Sequence, residues 1–218
     1  MTTAIILAAG RGSRFSKETK NKPKCLIKFD GHPLIAWQVA ALREAGIKRI
    51  VAVTGYRGEM INDFVDDVIE NTNWLTTNMV TSLLCAQKEI TAPVIVSYSD
   101  IIYDETPIRL LLSDQSNLSI TFDLDWMNLW SMRFEDPLRD AETFKINTNL
   151  QVTEIGLKTN NIDEIHGQYM GLLRITPEAL KWMSKITSDS KEQNMFNERI
   201  LNTKERNKIR NYTHIFIS

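Results

Sequence analysis

Glycine at positions 10 and 12, arginine at 11 and 14, serine at 13 and lysine at 24 form a set that could hold a polyphosphate. Glycine lets the backbone take positive φ and approach a ligand closely, so that successive N–H groups face phosphate oxygens. Arg11, Arg14 and Lys24 supply the countercharge a triphosphate needs. The pattern is not a P-loop, because no Gly-Lys-Ser/Thr occurs. It is not the dinucleotide fingerprint either, because Phe15 stands where the third glycine belongs. Asp100 follows the apolar run 93–98 in Ser99-Asp100-Ile101. A carboxylate delivered by a buried strand suits Mg²⁺, which takes one or two carboxylates plus phosphate oxygens; it equally suits a turn or a helix N-cap.

Two further groups of residues could contact a ligand. Asn78 and Ser82 lie at the start of a helical pattern, where Asn78 is well placed as an N-cap and where donors can also meet a base edge or phosphate. Trp126 and Trp130 are four apart and share a helix face, amid Asp123, Asp125, Arg133, Arg139, Asp140 and Glu142. Aromatic faces beside carboxylates can hold a cationic or amino-bearing molecule, and Arg133 or Arg139 could clamp its phosphate. Core packing is the competing account of the two tryptophans. His32, His166 and His214 are scattered, and no Ser-His-Asp or Cys-His set points to a nucleophilic mechanism.

The elements that must position these groups read as α/β. Residues 4–8, 49–53 and 93–98 are short apolar runs, the pattern of strands buried on both faces. Helical spacing covers 33–45, closed by Gly46, then 59–68 and 78–88. This order predicts a Rossmann-like, mostly parallel mixed sheet with helices on both faces and ligands at the carboxyl ends of its strands. Strands are expected at 119–122, 143–147, 152–157 and 170–175, with an inserted helix or turn at 126–134. Helices at 178–186 and 191–203 and a strand at 213–217 close the chain. A single domain is expected, with a nucleotide half over about 1–116, an acceptor half over about 117–186 and a tail over 187–218.

Composition narrows the partners. The 218 residues carry 26 basic and 27 acidic side chains, a formal charge of −1, which provides no field for gathering nucleic acid or anionic lipid. Cys25 and Cys85 sit in apolar surroundings and read as buried, reduced thiols of a cytoplasmic protein. No window approaches the ~18–20 apolar residues of a membrane span, so no membrane insertion is expected. A homodimer is compatible with this reading.

The string Leu7-Ala8-Ala9-Gly10-x-Gly12-Ser13-Arg14, followed by Lys22-Pro23-Lys24, closely resembles the signature of the nucleotidyltransferases that make NDP-sugars and CDP-alcohols. Asn73 and Asn78-x-x-x-Ser82-Leu83, Asp123-x-x-Trp126-x-x-x-Trp130-x-x-Arg133 with its continuation to Glu142, and 167–173 resemble the phosphocholine cytidylyltransferase-like branch. The likeness spans about residues 3–185. It implies a CTP-dependent, Mg²⁺-assisted cytidylyltransferase acting on a small phosphorylated or phosphonate headgroup, of the kind attached to surface polysaccharides. By the same resemblance, Leu7, Ala8, Ala9, Gly10, Gly12, Ser13, Asn78 and Ser82 hold the nucleotide, and Arg14, Lys24 and Asp100 are catalytic, with Asp100 on the metal. Trp126, Trp130, Arg133, Asp140, Glu142 and Tyr169 meet the acceptor. Glu154 and Lys158 match the strand facing the acceptor, or are two solvated charges. Family members continue into a Trp-x-Glu-Ile-Asp-type segment with an acidic metal ligand that has no obvious counterpart here unless Glu142 or Glu154 substitutes; otherwise the enzyme works with one carboxylate, a partner completes the site, or the chain is a shortened relative with little activity. The alternatives are a sugar-1-phosphate nucleotidylyltransferase and a non-catalytic nucleotide-binding regulatory subunit.

Overall fold

The computed structural model describes residues 2–12, 19–189 and 209–213. Ser13 and Arg14, the expected helix over 191–203 and most of the expected strand over 213–217 lie outside them. The first strand, β1 (Thr3–Ala8), is followed by a two-residue hairpin, β2 (Lys28–Phe29) and β3 (His32–Pro33), and by helix α1 (Leu34–Glu44). Strands β4 (Arg49–Thr54) and β5 (Asp67–Glu70), helix α2 (Met79–Cys85), strand β6 (Val94–Tyr98) and helix α3 (Glu105–Ser113) complete the first part. Strand β7 (Leu118–Asp123), helix α4 (Trp126–Arg133), the hairpin β8 (Glu142–Ile146) and β9 (Val152–Lys158), strand β10 (Gln168–Ile175), helix α5 (Pro177–Asp189) and strand β11 (Ile209–Thr213) follow.

Seven strands form one sheet in the order β11-β7-β10-β6-β1-β4-β5. Six run in one direction, and β10 alone opposes them, inserted between β6 and β7. The expected mixed, mostly parallel sheet is therefore present. Apolar residues alternate across β1. Ile5 and Leu7 join Val80 and Leu83 of α2 and Leu180 and Met183 of α5 on one face. Ala4, Ile6 and Ala8 join Ile35 and Leu42 of α1 and Ile108 and Leu111 of α3 on the other. Helices thus cover both faces, and the strand interior is dry.

Two expectations are corrected here. The helix expected over 59–68 is a 3₁₀ segment, Gly58–Phe64, that gives way to the edge strand β5. The break is electrostatic. Asp66 accepts a hydrogen bond from the Ile50 backbone N–H at 2.6 Å and two from the Arg43 guanidinium at 2.7 and 2.8 Å, which pulls the chain back beside β4. Cys85 is exposed rather than buried, on the outer side of α2, while Cys25 is buried as expected. Burial pushes the Cys25 thiol up to about 12, so it stays protonated.

Candidate active site

Lys24, Asp100, Arg133, Asp140 and Tyr169 gather at the edge where β1, β4, β6 and β7 end and β10 begins, the location predicted for a parallel sheet. The turn after β1 is shaped by Gly12, whose φ of +70° suits glycine and whose missing Cβ would lie 2.9 Å from the Lys24 side chain. Thr19 is fully buried and donates to the Gly12 carbonyl at 3.0 Å, tying down the far side of the turn. Arg11 lies over the Tyr56 ring, 5.3 Å from its centroid. Lys24 opens a 3₁₀ turn, Lys24–Leu26, anchored by the buried Cys25 and Leu26, and its Nζ forms an ion pair with Asp100.

Two cavities meet at that pair. One, of about 690 Å³, is walled by Leu7, Gly10, Gly12, Met79, Tyr98 and Asp140. The other, of about 380 Å³, is walled by Asp123, Trp130, Gln168, Tyr169 and Met170 among others. Lys24, Asp100 and Arg133 line both. Tyr98 and Tyr169, hydrogen-bonded to each other, stand one on each side. Burial raises the Tyr98 hydroxyl to about 12 and holds Tyr169 well above its ordinary value, so neither is a base. Their packing depends on a bulge in β10 at Gly171, where φ is +79° and a Cβ would lie 2.8 Å from the Tyr98 ring.

The smaller cavity carries charges of both signs, Asp100 and Asp123 beside Lys24 and Arg133. Asp123 terminates β7 half-buried, and desolvation raises its carboxyl above the ordinary carboxylate range despite the Asp125 N–H it accepts at 2.8 Å. The Trp130 indole N–H is buried without a hydrogen-bond partner among the described residues. Arg133 lies 5.3 Å from the Trp130 ring centroid and faces both cavities.

The remaining expected site residues fall into place as follows. Leu7, Gly10 and Gly12 line the larger cavity, whereas Ala8 and Ala9 are buried outside its lining. Asn78 caps α2, its side chain accepting from the Thr81 N–H at 3.1 Å. The Ser82 hydroxyl is buried, accepts from Asn71 at 3.0 Å and donates to the Asn78 carbonyl at 3.2 Å. Trp126 is 4% exposed, packs with Ala141 and Ile165 and lines neither cavity, so packing accounts for it, whereas Trp130 reaches the wall. Glu142 starts β8, outside both linings; Asp140 lines the larger cavity and Tyr169 the smaller. Glu154 pairs with Lys145 at 3.0 Å, and Lys158 donates to the Asp140 carbonyl at 3.3 Å. Neither Tyr98 nor Gln168 is among the residues expected at the site from the sequence, where Asp123 is only one of several acids. The signal was the register: each ends or begins a strand at the edge that also carries Asp100.

Comparison with known proteins agrees with this geometry. A family model, the MobA-like NTP transferase domain, matches residues 4–121. The chain is similar to the CTP:phosphoglutamine cytidylyltransferase of Campylobacter jejuni, 37% identical over 188 residues that cover 81% of this chain and 74% of that protein. It is also similar to the choline-phosphate cytidylyltransferase of Streptococcus pneumoniae, 28% identical over 138 residues covering 61% of this chain and 59% of that one. Among solved structures, the CTP:phosphocholine cytidylyltransferase from Streptococcus pneumoniae superposes with a TM-score of 0.73 at 18% identity, over 99% of this chain and 91% of that chain. The inositol-1-phosphate CTP transferase from T. maritima gives 0.70 at 20% identity, over 98% and 86%. With over half of its length inside the family model and a relative this similar across most of both sequences, the chain belongs to the MobA-like NTP transferase family.

Proposed function

We propose that the protein couples CMP from CTP to a small phosphorylated or phosphonate headgroup bearing an ammonium or amide nitrogen, with release of pyrophosphate. The observation that carries this is the junction of two cavities at Lys24, Asp100 and Arg133. The larger takes the nucleotide, its triphosphate on the turn after β1, and the smaller takes the acceptor. Residues 1–116 supply most of the wall of the larger cavity, while the smaller draws on both 1–116 and 117–186. Relatives named for phosphoglutamine, 2-aminoethylphosphonate and choline-phosphate support an acceptor of this class.

The reaction is a direct displacement. An ionised acceptor oxygen bonds to the α-phosphorus of CTP, and the bond from that phosphorus to the bridging oxygen of the departing pyrophosphate breaks. No proton has to move, so no general base is needed, and positioning and charge neutralisation carry the rate. Lys24 leaves Asp100 to meet the α-phosphate, where charge shifts in the transition state. Arg133, shared by both cavities, holds the acceptor phosphate, and Asp123 holds the nitrogen-bearing end. Arg14 and the backbone at 10–13 take the β- and γ-phosphates.

Asp100 would hold Mg²⁺. No group of three His, Cys, Asp or Glu side chains able to cage a metal occurs among the described residues. A lone carboxylate at a phosphate site nonetheless fits Mg²⁺, which keeps waters and takes its other ligands from the nucleotide. The ion would supply charge neutralisation on the phosphoryl oxygens. No helix among the described residues is long and apolar enough to cross a membrane, and we place the enzyme in the cytoplasm, where CTP is made.

Pyrophosphate release with Mg²⁺, measured for four nucleoside triphosphates against phosphocholine, aminoethylphosphonate, phosphorylated glutamine and glucose 1-phosphate, tests this. CTP with one nitrogen-bearing acceptor is the expected productive pair. Turnover with the sugar phosphate alone, or CTP binding without release under any acceptor, overturns it.

A further inference from the structure

Gln38, on α1, is fully buried and lies outside both cavity linings. Its Nε2 donates to the Tyr98 carbonyl at 2.9 Å and to the Ile101 carbonyl at 2.6 Å. Those two carbonyls flank Ser99 and Asp100. The Tyr98 carbonyl also accepts from the Ser97 hydroxyl at 2.9 Å, and that hydroxyl accepts from the Tyr103 hydroxyl at 2.8 Å. Ser97 is fully buried and Tyr103 is 5% exposed. One continuous buried chain, Tyr103 to Ser97 to the Tyr98 carbonyl to Gln38 to the Ile101 carbonyl, therefore underlies the loop that presents Asp100.

A loop after a strand has no ladder to fix it, and its carbonyls are ordinarily left to water. Here a side-chain amide from α1 does the fixing. The arrangement leaves the Gln38 Oε1 buried without a hydrogen-bond partner among the described residues, a penalty that packing alone does not require. An apolar side chain of the same shape would avoid it. We infer that Gln38, with Ser97 and Tyr103, is a positioning device for Asp100: it holds the carboxylate at the junction of the two cavities and so sets the metal-dependent part of nucleotide binding and turnover.

This inference rests on the function proposed above, and its test has a readout that does not require turnover. Gln38→Met keeps the volume and deletes both donors; Tyr103→Phe deletes one hydroxyl at the far end of the chain and is the milder change. Ile35→Val, equally buried on α1 but outside the network, is the packing control. Calorimetric CTP affinity is measured with and without Mg²⁺, together with kcat and hydrogen exchange over residues 98–101. The expected result for Gln38→Met is an unchanged metal-free affinity, a Mg²⁺-dependent gain reduced at least fivefold, kcat reduced tenfold or more and faster exchange in that loop. Tyr103→Phe should follow with smaller changes, and Ile35→Val should lower only the melting temperature. An unchanged Mg²⁺-dependent gain with unchanged loop exchange in Gln38→Met overturns the inference; should that variant not fold, the same result in Tyr103→Phe overturns it. A wild-type chain that binds CTP with Mg²⁺ but releases no pyrophosphate overturns the function proposed above instead.

Discussion

Lys24 and Asp100 neutralise each other at the meeting point of the two cavities, with side chains 25% and 35% exposed. An ion pair that open to water contributes only ~0–1 kcal/mol to stability, so its value lies in what each partner does once a triphosphate separates them. Lys24→Ala and Asp100→Ala should each lower kcat by about a hundredfold or more, while the melting temperature measured by calorimetry stays within a few degrees of wild type. Asp123 gives a second test. Half-burial raises its carboxyl, disfavouring the charged form, and a cationic acceptor would favour that form again. Acceptor binding should therefore be strongest above the raised value and weaken as pH falls through it. In steady-state kinetics KM for the acceptor should climb at acid pH, and Asp123→Asn should raise KM at neutral pH by about tenfold and flatten the profile. Lys24 and Asp100 were legible in the sequence because motif and strand end coincide. Trp126 was not separable from Trp130, since helical spacing places both on one face and only the packing of Ala141 and Ile165 against Trp126 takes it out of the site.

Strands were the most legible elements, because a run such as 4–8 is apolar on both faces and can only be buried. The 59–68 segment misled for a physical reason: Met60 and Phe64 do recur at helical spacing, but the bond from the Ile50 N–H to Asp66 and the pairing of β5 with β4 decide the chain's path. Helix α3 was not assigned from sequence, although Asp104 caps it by accepting from the Thr106 N–H at 2.9 Å. The Asp66 clamp carries a pH signature. Arg43 and the Ile50 N–H hold the Asp66 carboxyl below its ordinary value, so its contribution to stability is present above the ordinary carboxylate range and fades as pH falls toward the lowered one. Asp66→Asn should lower the melting temperature by about 2–4 °C at neutral pH, and the gap should close on acidification, as followed by circular dichroism. The β10 bulge is less forgiving. Gly171→Ala introduces a Cβ against the Tyr98 ring at positive φ and should cost about 1–3 kcal/mol in urea unfolding.

At the scale of the whole molecule, family and fold were legible in the sequence, but the way the parts share one sheet was not. Strand order cannot be read from local pattern, and a nucleotide half followed by an acceptor half suggests two consecutive bodies. Instead, β10, from the second, lies between β6 of the first and β7 of its own. This placement has a consequence for how the protein is made. Until residue 168 has left the ribosome, the open edge of β6 has no neighbour, and Val94, Ile95 and Val96 present an apolar strand to whatever chain is nearby. Completion of the sheet between β6 and β7 must wait for the last quarter of synthesis. A nascent chain stalled before that point leaves this edge open, and the smaller cavity, walled by Gln168, Tyr169 and Met170, closes only once β10 is in place.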